Sequence, residues 1–215
     1  MNFKRNQIEE ALRRSWPRPA ELAPAALSVR LKRLLETDRK LGRSRKSDRP
    51  EVRTYAFYSD DPPGSGVEVL FSPYEAYALR LGLLLLNNGL PQATVVRFLR
   101  QNRDLIEPEH QRILQMDPAT FREKEPLPGG LGGALEQSVY LILAPRQAPL
   151  RHSPDPVQKE PLRRARICRN EGEMSQFIRG ELGFEHVAIT IDLVRSAFAM
   201  TGALKETKPS RRGKK

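Results

Sequence analysis

Apolar residues recur along this chain at spacings that change several times, and each change predicts an element. Between Arg5 and Ser15, Ile8, Ala11 and Leu12 fall at helical intervals, and Pro17 ends the run. After the Pro17-Arg18-Pro19 break, residues 27–41 put Leu27, Leu31, Leu34, Leu35 and Leu41 on one predicted helix face. Arg30, Lys32, Arg33, Arg39 and Lys40 occupy much of the rest, so this helix is amphipathic and basic. Two short β-like runs follow, Thr54–Tyr58 and Val67–Phe71, separated by Ser59-Asp60-Asp61-Pro62-Pro63-Gly64-Ser65-Gly66. That intervening stretch is a strong turn signal, and the three segments together predict a β-hairpin.

The sharpest local signal comes next. Ser72-Pro73-Tyr74-Glu75 combines an N-cap serine, proline at the first helical position and a glutamate three residues after the serine. Leu79, Leu83 and Leu86 carry the helix on, Leu81, Leu84 and Leu85 widen its apolar face, and Gly89 suits the left-handed position past its end. Pro91 opens a further helix bearing Val95, Phe98 and Leu99, and a third short one is expected from about Pro108 to Met116. Beyond a loop at 117–134 ending in a glycine-rich hinge, Val139–Leu143 reads as a buried strand, Ala165–Cys168 and Val187–Ile191 as two more, and Glu171–Arg179 and Asp192–Leu204 as helices. Residues 145–162 are Pro-rich and polar and read as a mobile excursion.

The expected fold is therefore α+β and mainly helical. An N-terminal winged-helix-like domain with a β-hairpin wing spans 1–116, a linker 117–134 and a small α/β domain 135–204. A basic disordered tail occupies 205–215. An apolar fraction of 39% allows a core, and no stretch approaches the ~18 consecutive apolar residues of a membrane span. The N-terminal residues carry no signal-peptide pattern. A single cysteine, Cys168, excludes an internal disulfide. These features fit a cytoplasmic protein.

Charge changes the picture most. The net charge is +11, and it is uneven: residues 1–57 carry 15 Lys and Arg against 7 Asp and Glu, residues 205–215 carry 6 against 1, and the body between is slightly acidic. Positive ends around such a body are the footprint expected when particular faces meet a polyanion. Catalytic and metal sites, in contrast, need clustered His, Cys, Asp or Glu. His110, His152 and His186 are scattered, and no His or Cys pair has a ligand spacing. Asp60-Asp61 with Glu68 superficially matches a nuclease carboxylate set, but Leu70 stands where its lysine belongs and a turn accounts for the aspartates. The glycines at 129–133 lack the lysine of a phosphate-binding loop. No enzyme, cofactor or metal is expected.

The order helix, basic helix, hairpin, capped helix, second helix resembles the MerR-type winged helix-turn-helix over about residues 5–100. Phe71-Ser72-Pro73-Tyr74-Glu75, Gly89-Leu90-Pro91 and Val95 carry the resemblance, and Ser28-Val29, Arg33 and Glu36 resemble that family's recognition-helix pattern. The stretch from Trp16 to Ala26 is longer than the family's tight turn, and no long dimerisation helix follows residue 116. The resemblance implies a DNA-binding transcriptional regulator, as a homodimer on double-stranded DNA. Arg30 and Arg33 would meet base edges, since arginine binds guanine bidentately. Lys32 lies on the same helix, and Arg39, Lys40, Arg43, Arg45, Lys46 and Arg53 would meet phosphates. Arg211, Arg212, Lys214 and Lys215 of the tail could follow a backbone or enter a minor groove. Two alternatives stay open: a non-specific RNA or nucleoid binder, with Tyr55, Phe57 and Tyr58 as stacking candidates, and a protein–protein adaptor whose basic ends only aid solubility.

Overall fold

A computed structural model describes residues 2–16, 23–64, 67–117, 138–145, 162–182 and 188–208. The glycine-rich hinge, most of the Pro-rich excursion, His152, His186 and the arginines and lysines of the tail's last five residues lie outside them. The described chain is mainly helical with two small antiparallel sheets, and it forms two compact units: Met1–Gln111 with Ser196–Lys215, and Arg112–Arg195.

The first unit begins with β1 (Phe3–Lys4) and α1 (Arg5–Ser15). Ile8, Ala11 and Leu12 are fully buried, as their spacing predicts. The basic helix, α2, runs Pro24–Leu41, three residues earlier than the leucine stripe alone suggests, because Pro24 can open a first turn that needs no backbone donor. Leu27, Leu31, Leu34 and Leu35 are buried, but Leu41 is exposed. A single helical turn, α3 (Pro50–Arg53), precedes the segment expected to form the wing.

That wing is absent from the described residues. Thr54–Tyr58 forms no strand, and Leu70–Phe71 (β2) pairs instead with β1, Phe3 opposite Phe71 and Lys4 opposite Leu70. The physical reason is where the backbone of 55–58 finds its partners. The Asp38 carboxylate accepts from the amides of Ala56 (3.1 Å) and Phe57 (2.9 Å), and Arg103 Nη1 donates to the carbonyls of Tyr55 (2.8 Å) and Tyr58 (2.6 Å). Two side chains thus take over hydrogen bonds that a ladder would have supplied, and Tyr55, Phe57 and Tyr58 all turn into the core.

In α4 (Pro73–Asn87) the reciprocal cap forms as read: Glu75 N donates to Ser72 Oγ (3.2 Å) and Ser72 N to Glu75 Oε2 (2.6 Å). Every residue from Tyr74 to Leu83 is buried. Gly82 leaves room for α2 against α4, since a Cβ there would stand 3.2 Å from Leu34 Cδ1. Gly89 takes φ 81°, past the end of α4, and α5 (Gln92–Gln101) follows directly. The next helix, α6, spans Arg103–Leu114, so Pro108 lies inside it and does not start it.

The second unit is a three-stranded antiparallel sheet in the order β4 (Leu162–Cys168), β3 (Tyr140–Pro145), β5 (Ile189–Asp192). The central β3 is buried from Leu141 to Ala144, which explains its unalternating apolar run. Ile142, Ala144 and Cys168 pack with Phe177 of α7 (Glu171–Phe177), itself capped by Asn170 accepting from Glu173 N (2.8 Å). A π-turn, Ile178–Leu182, continues α7. The Asp192 carboxylate accepts from Arg195 N (2.9 Å) at the start of α8 (Leu193–Glu206). From Ser196 onward α8 belongs with the N-terminal helices, unlike the expected domain limit at 204. Met200 Sδ lies 3.9 Å from Ser15 Oγ, and Gln7 Nε2 donates to the Thr207 carbonyl (3.4 Å).

Candidate nucleic-acid interface

Helical periodicity divides the solvent side of α2 into two flanks. Arg30, Arg33, Thr37 and Lys40, at steps of three and four, form one. Lys32, Glu36 and Arg39 form the other. The first flank runs beside the α4–α5 turn: Arg30 Nη1 donates to Asn87 Oδ1 (2.6 Å), while Gln92 Nε2 donates to the Arg33 carbonyl (2.9 Å) and to Thr37 Oγ1. Arg30, Arg33 and Lys40 are exposed, and among the described residues none of them has a carboxylate partner. Asn87 is neutral, so it holds the Arg30 guanidinium without cancelling its charge.

The other expected contacts sort differently. Lys32 Nζ lies 3.7 Å from Glu36, and Arg53 Nη2 lies 3.0 Å from Asp104. Arg45 reaches Asp61 (3.4 Å) and Asp60 (4.0 Å). Exposed pairs of this kind add little stability, yet they cancel the charge a phosphate would use. Arg43, expected at a phosphate, is mostly covered, with only 10% of its side chain exposed. Its Nε donates to Asp61 Oδ1 (2.7 Å), its Nη1 to the Ser59 carbonyl (3.3 Å), and the guanidinium lies over the Tyr55 ring (5.2 Å). The hydrogen bond to Asp61 raises its pKa above the usual arginine value. Arg43 therefore holds the loop of Asp60 and Asp61 against the end of α2. Lys46 is exposed, Arg39 belongs to the second flank, and Arg211, Arg212, Lys214 and Lys215 lie outside the described residues.

What orients α2 is a group the charge pattern does not reveal. Asp38 falls in step with Leu31, Leu34 and Leu35 on the buried face, and its Oδ1 accepts from Arg100 Nε of α5 at 2.6 Å. Arg100 also donates to the carbonyls of Gly42 (2.6 Å), Glu51 (3.3 Å) and Asp38. Burial pushes the Asp38 pKa up, against the opposing pull of Arg100 and the two backbone amides. A carboxylate in the middle of a leucine stripe was the available signal, since such a group needs a buried partner.

No protein-family model matches the chain, and no curated protein matches it significantly. The candidate interface therefore rests on its own geometry. Tyr55, Phe57 and Tyr58 offer no stacking platform, being buried. Among the described residues no group of three or more His, Cys, Asp and Glu is placed to hold a metal ion, and no helix is long and apolar enough to cross a membrane. His110 is buried and stacks on Tyr77 at 4.4 Å; desolvation lowers its pKa to about 4, so it is a neutral core residue near pH 7. Cys168 is equally buried.

Proposed function

We propose that the first unit binds double-stranded DNA as a transcriptional regulator, through the outer flank of α2. The observation that carries this reading is the row Arg30, Arg33 and Lys40: exposed, on one helix flank, and without a carboxylate partner among the described residues. Lys32, Arg43, Arg45 and Arg53 lie beside carboxylates, whereas the three members of this row do not, so their charge is available to a polyanion. An α-helix fits a major groove, and arginine on such a helix can read guanine. Arg30 and Arg33 lie in the second and third turns of α2, so the middle of the helix, not its first turn, makes the contact.

The MerR-like arrangement is supported by α1, α2, the capped α4, the Gly89 turn and α5 in that order. In this proposal the short β1–β2 ladder stands where a hairpin wing would be. The burial of Tyr55, Phe57 and Tyr58 favours a duplex over single-stranded RNA, which is held mainly by stacked bases.

Fluorescence anisotropy on a random duplex pool and on DNA from around the protein's own gene, across salt concentrations, tests the reading. Sequence-preferring binding that the Arg30→Ala/Arg33→Ala protein loses supports it. Equal binding to all sequences leaves a non-specific binder, and no binding at moderate salt overturns it.

A further inference from the structure

On the opposite flank of α2 lies a groove of about 940 Å³, walled by the β1–α1 junction on one side and residues 67–69 on another. That volume is in the range of clefts that hold small organic molecules. Its floor is apolar: Leu35 and Phe71 with the ring of Tyr58, and Val69 beside them. Its rim is charged, but almost every charge is already matched. Lys4 Nζ lies 2.8 Å from Glu68, Arg5 Nε 2.8 Å from Glu9, and Lys32 Nζ 3.7 Å from Glu36.

Arg39 is the exception. Its Nη2 donates to the Pro63 carbonyl (3.4 Å), its guanidinium lies beside the Tyr58 hydroxyl, and among the described residues it has no carboxylate partner. The rim thus presents one uncompensated guanidinium, next to an apolar floor.

We propose that this groove binds an amphipathic organic monoanion: a carboxylate on an aromatic or medium-length aliphatic body. The guanidinium fork matches a carboxylate bidentately, and the floor takes the apolar body. Every other cation on the rim already has a carboxylate beside it and the floor is apolar, so a second negative charge would be desolvated there without a partner, which disfavours nucleic acid and dicarboxylates in the same place. The proposal does not depend on DNA binding, because Arg39 and the row of Arg30 and Arg33 are on different flanks of the helix.

Calorimetric titration of the full chain with octanoate, octanamide and the dicarboxylate suberate tests it. Octanoate should bind about tenfold or more tightly than either of the others, the margin expected of charge-assisted hydrogen bonds. Arg39→Gln should reduce octanoate to the level of octanamide, Val69→Glu should abolish binding of both, and Arg33→Gln should leave octanoate within about twofold. Arg39 is a surface residue, and circular dichroism verifies that each variant is folded. Octanoate binding no better than octanamide, a preference that survives Arg39→Gln, or no binding at all would overturn the proposal.

Discussion

Asp38 and Arg100 meet in the core at 2.6 Å, with side chains 0% and 1% exposed, and between them they hold three segments together. The carboxylate fixes the backbone at Ala56 and Phe57, and the guanidinium fixes the end of α2 at Gly42 and the first turn of α3 at Glu51. The charged flank of α2 takes its orientation from this pair.

Removing one partner alone leaves the other charged and buried. Asp38→Ala or Arg100→Met should each lower stability by about 3–5 kcal/mol, read as a shift in the urea midpoint. The double variant Asp38→Leu/Arg100→Met should recover part of that loss, and a double variant as damaged as the sum of the singles would contradict a mutual pairing.

Arg80 makes the converse case. It is buried, its Nη1 donates to Ser15 Oγ (2.6 Å), its guanidinium lies 5.6 Å from the centre of the Trp16 ring, and its Nε has no partner among the described residues. Desolvation lowers its pKa to about 10. Arg80→Met removes a costly buried cation and keeps the length of the side chain, so stability should be unchanged or higher by about 1 kcal/mol. A loss of the size expected for Arg100→Met would show that Arg80 is paired after all.

His110 gives the fold a pH dependence of known sign. Its folded pKa is depressed from 6.5 to about 4, so the unfolded chain takes up the proton first. Stability from this residue is fully present above about pH 6.5 and is lost as pH falls toward 4, by roughly 3 kcal/mol in all. His110→Phe preserves a ring against Tyr77 and should flatten the decline, measured as the difference between the two proteins' urea midpoints from pH 7 to 4.

The sorting of surface charges has its own signature. If DNA binds the outer flank, each of Arg30→Ala, Arg33→Ala and Lys40→Ala that removes a phosphate contact should reduce the slope of log affinity against log salt by about 0.9. Arg45→Ala and Arg53→Ala, whose charges are matched, should change it far less. Arg43→Ala should instead lower the melting temperature, because it frees the loop of Asp60 and Asp61.

Ser72→Ala should cost about 1 kcal/mol, since it strands an amide at the start of the most buried helix. Thermal unfolding reads it directly, and Ser72→Asp should restore most of the loss.

Which parts of this molecule are legible in its sequence follows from how local their causes are. The α1 stripe, the Ser72 cap and the Gly89 turn depend on neighbours within a few residues and form as their residues predict, and the α2 stripe does so except at Leu41, which is exposed at the helix end. The hairpin does not, although Tyr55, Phe57 and Tyr58 favour strands, because the partners of their backbone come from Asp38 and Arg103. The charges divide in the same way. Arg30 and Arg43 read alike along the chain, and what separates them is whether folding brings Asn87 or Asp61 beside the guanidinium. Proline favours a helix start, yet α6 begins at Arg103 and continues through Pro108.

The β1–β2 ladder also orders events in time. Phe3 and Lys4 leave the ribosome long before Leu70 and Phe71, and closing that distance carries an entropy cost that local helices do not bear. A nascent chain that ends after α2 already carries the basic residues of that helix, but Arg100, which orients it, and the wall formed by residues 67–69 have yet to be synthesised. The groove beside Arg39 is therefore complete only once residue 71 has been synthesised, and a chain stalled before that point would carry the charge without the pocket.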